Sequence, residues 1–157
     1  MKNLEGMSLQ ELAAYISNHL QQQKIPVVLV GGGCVSIYTQ NQYQTQDIDF
    51  VEQYETRRSK LKSALEMIGF QEQARYFIHP TARYFLEFPK GPLAIGNQPI
   101  KQLHTIRTAQ GELVLLTATD CIKEREFYNF RNLAGLFLHF LRCENSYIAC
   151  YAPVFTP

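Results

Sequence analysis

A uniformly apolar run, Val27-Val28-Leu29-Val30, follows Pro26 and stops at three consecutive glycines, Gly31-Gly32-Gly33; fourteen residues after the last of them the chain reads Asp47-Ile48-Asp49-Phe50-Val51. This order constrains the fold more than any other feature. A short apolar run between breakers predicts a fully buried strand. The second run alternates charged and apolar side chains, which predicts a strand with Ile48 and Phe50 inward and both aspartates on the opposite face. Two such strands separated by helical segments predict an α/β (α+β) domain, a small mixed sheet flanked by helices.

Asp47 and Asp49 lie two apart and therefore share one strand face. Like charges held that close resist joint ionisation unless a cation joins them. Mg²⁺ suits the pair, because it takes oxygen ligands and keeps phosphates in its shell. The glycines supply backbone that a ligand can approach closely, at the start of a predicted helix.

Ser8 with Glu11 forms a capping-box pattern, and Leu9, Leu12, Ala13, Ile16 and Leu20 recur at helical spacing, so 8–23 is predicted helical. A second helix is predicted from Cys34 to about Gln40, with Val35, Ile37 and Tyr38 buried, then a polar loop over 41–46. Residues 56–68 predict a helix ended by Gly69. One or two strand pieces are expected within 70–78, a strand over 83–88, a turn at 89–92, and short strands over 104–108 and 112–116. Thr119 is expected to cap a helix from about Asp120 to Tyr128. Beyond Asn129 the character changes: 133–141 is almost wholly apolar and 147–157 carries aromatics with little charge, which fits a packed C-terminal helix with an extension or an oligomerisation surface.

The 157 residues suggest one domain, and 46% hydrophobic against 18% charged content allows a core. A net charge of +1 gives no bulk attraction to nucleic acid or membrane. Cys34, Cys121, Cys143 and Cys150 show no zinc-ligand spacing and read as reduced thiols. Cys34, at a helix start, could have a lowered pKa. With no signal-peptide pattern at the N-terminus and no apolar stretch long enough to span a bilayer, a cytoplasmic protein without membrane contact is expected.

The order strand, glycine turn, helix, Asp-x-Asp strand, helix and a later strand bearing Glu87 resembles the nucleotidyltransferase superfamily that includes DNA polymerase beta. The motif reads Val30-Gly31-Gly32-Gly33 and Gln46-Asp47-Ile48-Asp49-Phe50, and the likeness is greatest to small stand-alone bacterial members of the toxin and antitoxin type. It covers roughly 25–128, so that 1–128 is expected to be the nucleotidyltransferase-like domain and 129–157 an apolar helix and tail packed on it or used for a homodimer or a protein partner. The resemblance implies that Asp47, Asp49 and Glu87 are catalytic and bind Mg²⁺ or Mn²⁺, with Glu87 also a candidate general base. It implies that Gly31, Gly32, Gly33, Ser36 and Lys123 contact the nucleoside triphosphate. The implied activity is transfer of an NMP from an NTP to a hydroxyl of a protein, RNA or small-molecule acceptor; the alternative is an inactive binding module, an antitoxin or regulatory partner.

Several of these residues also have plainer readings. Glu87 fits an outward residue of an edge strand, Lys123 a solvated helix residue, and Ser36 a hydroxyl without a ligand. Arg57, Arg58, Lys60 and Lys62 fit a solvated helix face or an acceptor-RNA or nucleotide contact.

Overall fold

The apolar run 27–30 takes a place near the middle of the sheet, and its uniform burial means that both faces of the sheet are covered there, with the helices Leu9–Gln22 and Gly31–Tyr38 packing against it. The computed structural model describes residues 2–128, in the order α1 (Leu9–Gln22), β1 (Val27–Val30), α2 (Gly31–Tyr38), β2 (Asp47–Glu52), α3 (Arg58–Glu66), β3 (Gln71–Gln73), β4 (Tyr76–Ile78), β5 (Phe85–Glu87), β6 (Ala94–Ile95), β7 (Gln98–Pro99), β8 (Leu103–Thr108), β9 (Gly111–Leu116) and α4 (Ala118–Tyr128). The expected C-terminal helix and tail over 129–157 lie outside the described residues.

Seven strands form one mixed sheet in the order β3-β4-β5-β2-β1-β9-β8. The pairs β1/β9 and β2/β5 are parallel; β1/β2, β3/β4, β4/β5 and β8/β9 are antiparallel. The two faces differ as the alternation in β2 predicts. Ile48, Phe50, Leu86 and Phe77 are fully buried on one face, where Phe88 stacks on Phe50 at 5.9 Å and meets Phe77 edge-on at 5.6 Å. Asp47, Asp49, Phe85, Glu87 and Tyr76 share the other, half-buried face. Each fully buried large side chain contributes about 1.5–3 kcal/mol of hydrophobic stabilisation.

The first helix follows its sequence closely. Ser8 Oγ accepts from Glu11 N at 3.3 Å while Ser8 N donates to Glu11 Oε2 at 2.9 Å, and Leu9, Leu12, Ala13, Ile16 and Leu20 are buried. Helix α2 departs from expectation. It begins at Gly31, three residues before Cys34, because Val30 is still extended and Gly31 turns at φ +64° straight into the helix. Its buried residues are Gly32, Gly33, Cys34, Val35 and Ser36; Ile37 and Tyr38 are only half-buried.

Helix α3 is shorter than 56–68, and Gly69, at φ +91°, lets Phe70 N donate back to Leu65 O at 3.1 Å. The 70–78 segment supplies the hairpin β3/β4, and 83–88 contracts to three residues of β5. The hairpin β6/β7 forms a separate two-stranded sheet that the sequence does not announce, since its strands are two residues long. Helix α4 is capped by Thr117 rather than Thr119: Thr117 Oγ1 accepts from Asp120 N and donates to Asp120 Oδ2, both at 3.1 Å. Among the described residues no helix is long and apolar enough to cross a membrane.

Candidate active site

Strand register assembles the carboxylates. Asp49 pairs with Val30 of β1 on one side and with Glu87 of β5 on the other. Register partners in adjacent strands point to the same face, and Asp47 sits two residues earlier on that face. One oxygen from each of Asp47, Asp49 and Glu87 lies within 4.8 Å of the others. Thr45 Oγ1 donates to Asp47 Oδ1. Arg75, on the β3–β4 turn, places Nε 3.5 Å from Glu87 Oε1 and donates through Nη2 to the Tyr76 hydroxyl.

Because β1 and β2 are antiparallel neighbours, the end of β1 meets the start of β2, and the glycines meet the aspartates. A Cβ on Gly31 would collide with Asp49 Oδ2 and stand 3.2 Å from its Cγ. On Gly32 it would lie 2.8 Å from Arg125 Nη2 and 3.0 Å from Thr45 Oγ1; on Gly33 it would lie 3.1 Å from Leu29 Cδ1. The first two glycines thus lie against the polar site and the third against the core. Gly31 N donates to Glu124 Oε2 at 2.9 Å, so this N–H already has an anionic partner within the chain.

The residues of α4 that reach this place are Glu124 and Arg125. Arg125 Nη2 donates to the Tyr43 hydroxyl at 3.3 Å, with its guanidinium 5.5 Å from the Tyr43 ring. Lys123 is instead exposed, its Nζ paired with Asp120 Oδ1 at 3.2 Å. Ser36 is 2% exposed and donates to Asn41 Oδ1 at 3.1 Å. The structure therefore gathers Asp47, Asp49, Glu87, Gly31 and Gly32, while Ser36 and Lys123 spend their polar groups elsewhere. Helix spacing held the missed signal: Cys121 is fully buried, and the residues three and four beyond it, Glu124 and Arg125, share its inward side. The basic cluster of α3 is partly committed too: Arg58 and Lys62 pair with Glu72 at 2.8 and 3.6 Å, and Arg58 lies over the Phe77 ring at 4.6 Å.

Burial, and then crowding of acids, sets the electrostatics. Burial, then Asp47, Glu87 and Glu124, push Asp49 from 3.8 up to about 7, with Arg125 opposing. Burial raises Glu124 as well, against the Gly31 N–H and Arg125. The Cys34 thiol lies well above its ordinary value rather than below it, because it is buried and Cys121 lies beside it. Next to the acids opens a cavity of about 310 Å³ that includes Gly31, Asp49, Glu124 and Lys90, with apolar walls from Val51, Leu93, Ile95, Ile100 and Leu116. An all-oxygen donor set whose central member is driven toward protonation by burial and by its acidic neighbours fits a divalent cation.

No protein-family model matches the chain, and no curated protein does. Two structures of the antibiotic-resistance factor ANT(2'')-Ia align with it. The solution structure does so at 15% identity and TM-score 0.47, over 86% of this chain and 87% of that one. The crystal structure in complex with adenylyl-2''-tobramycin does so at 12% identity and TM-score 0.44, over 88% and 98%. These two scores are too low to bear on the chain. An antigenic nucleotidyltransferase-like protein from Paracoccidioides brasiliensis aligns with TM-score 0.63 at 14% identity, over 88% of this chain and 76% of that one. With its mixed sheet and the glycine turn set against the aspartate strand, the chain has the nucleotidyltransferase fold.

Proposed function

We propose that this chain is a nucleotidyltransferase that uses an NTP with Mg²⁺, or Mn²⁺ in its place, and moves the NMP to a hydroxyl of a protein, an RNA end or a small molecule. The observation that carries this reading is the convergence of Asp47, Asp49 and Glu87 beside the opening turn of α2. A divalent cation held by these three would supply charge neutralisation for the triphosphate and the departing pyrophosphate. The chain's own groups do the remainder. Glu87 takes the proton of the acceptor hydroxyl, whose oxygen bonds to the α-phosphorus; the bond from that phosphorus to the bridging oxygen breaks, and pyrophosphate leaves with the electron pair. The backbone of Gly31, Gly32 and Gly33, at the amino end of α2, cradles phosphate oxygens. Nothing in the placement of Ser36 or Lys123 supports a nucleotide contact.

Calorimetric titration of ATP, GTP, CTP and UTP with and without Mg²⁺, followed by labelling of a cell extract with α-labelled NTP, tests the reading. Binding should require Mg²⁺, and Asp49→Asn should abolish transfer. Equal binding of metal and nucleotide by wild type and Asp49→Asn protein refutes the site.

One observation favours a second reading, a binding module such as an antitoxin or regulatory partner that keeps the fold without turnover. Two polar groups of the site already have partners within the chain, Glu87 with Arg75 and Gly31 N–H with Glu124. Mg²⁺-dependent NTP binding with no labelled acceptor in any extract would select it.

A further inference from the structure

We infer that Arg125 is the side chain that receives the triphosphate at the opening of α2, and that Glu124 fills that seat until nucleotide displaces it. This rests on the nucleotide-binding reading above. The first turn of a helix presents N–H groups with no helical acceptor, at the positive end of the helix dipole. Here one of them, Gly31 N–H, is met by Oε2 of Glu124 at 2.9 Å. The next residue of α4 brings a guanidinium to the adjoining glycine, with Nη2 close enough that a Cβ on Gly32 would stand 2.8 Å away. A backbone N–H and a guanidinium set beside adjoining glycines are donors that an oxyanion such as phosphate requires. The oxyanion present is a carboxylate of the chain itself.

Two further observations make exchange feasible. Among the described residues Arg125 makes no ion pair; its partners are the Tyr43 hydroxyl at 3.3 Å and the Tyr43 ring at 5.5 Å. Its guanidinium can therefore turn to a phosphate without breaking a salt bridge to any described residue. Glu124, Gly31 and Asp49 also line the same 310 Å³ cavity, so an incoming triphosphate and the carboxylate it displaces meet in one space. The Glu124 carboxylate lies at Gly31 and the Arg125 guanidinium beside Gly32, so the two neighbours act with opposite sign on any anion brought to the site.

Opposite sign is what the experiment reads. NTP binding is titrated in Mg²⁺ for wild type, Glu124→Gln, Arg125→Gln, Arg125→Lys and Asp49→Asn, with inorganic tripolyphosphate as a second probe and circular dichroism to check folding. Glu124→Gln keeps an acceptor for Gly31 N–H and removes the charge, so both probes should bind about tenfold tighter. Arg125→Gln should weaken both about tenfold or more, and Arg125→Lys should restore part of the loss. Weaker binding in both the Glu124 and Arg125 variants, as a purely structural role for this turn of α4 would give, overturns the inference. So does binding that Asp49→Asn abolishes but that is indifferent to 124 and 125; that result leaves the nucleotide-binding reading standing. No binding by any protein, wild type included, removes both.

Discussion

Asp49→Asn should make the metal-free protein more stable while destroying its site. The carboxyl moves from 3.8 in the unfolded chain to about 7 in the fold. A raised acid holds its proton more tightly when folded. Its contribution to stability is therefore complete below about pH 4, is lost as pH climbs toward 7, and stays lost above that. The gap from 3.8 to about 7 corresponds to at most about 4 kcal/mol at pH 8 and about 1.7 kcal/mol at pH 5. Asn keeps the shape and abolishes the charge, so the variant escapes that loss. Urea unfolding in chelator at pH 5 and pH 8 measures it: the variant should exceed wild type at both, by clearly more at pH 8. Saturating Mg²⁺ should narrow the gap, because only wild type gains from binding, by about 2.7 kcal/mol at a hundred times Kd. A variant less stable than wild type at pH 8 in chelator, or a difference independent of pH, would show that Asp49 is not buried among acids as described.

Gly31→Ala forces a side chain onto φ +64° and onto Asp49, so it should lose about 1–2 kcal/mol from the backbone and also lose Mg²⁺ binding; a variant that binds Mg²⁺ normally contradicts the packing at Gly31. Phe50→Ala empties a fully buried position on β2 beside Phe88 and should cost about 3–5 kcal/mol by urea unfolding. Arg75→Ala releases Glu87 from an exposed pair, so stability should hold while Mg²⁺ affinity rises; a fall in affinity would mean that Arg75 orients Glu87 for the ion rather than competing with it.

The parts of the fold that could be read from the sequence are those in which local pattern and tertiary role agree. Ser8 and Glu11 form their capping box because each needs only the other, and the alternation of 47–51 survives because one face of β2 is core and the other is the site. The run 27–30 is uniformly apolar because both faces of the sheet are covered at β1, where α1 and α2 pack against it. Where a residue has two available roles, the pattern misleads. Three glycines read as a break, yet Gly31 can enter a helix directly at positive φ, so α2 starts where a loop is expected. Thr117 and Thr119 both suit a cap; only the reciprocal bond with Asp120 separates them. The two-residue strands of β6 and β7 carry no period at all, although their hairpin contributes Ala94 and Ile95 to the cavity beside Asp49.

The site divides along the same line. Asp47 and Asp49 declare themselves by spacing within one strand, and Glu87 joins them by register across the parallel pair β2/β5, which no local pattern encodes. Lys123 draws attention because a cation near phosphate is the expected chemistry, but it lies two residues from the buried Cys121, away from the inward side of the helix. Glu124 runs against expectation, since a fourth acid beside three others worsens their repulsion. It is tolerated because α2 offers it a backbone N–H at a helix start and Arg125 lies next to it, two compensations that exist only once α4 has packed on α2. A carboxylate held by such compensations can be exchanged for a better anion, so this least legible residue of the site is also the one on which entry of a triphosphate would depend.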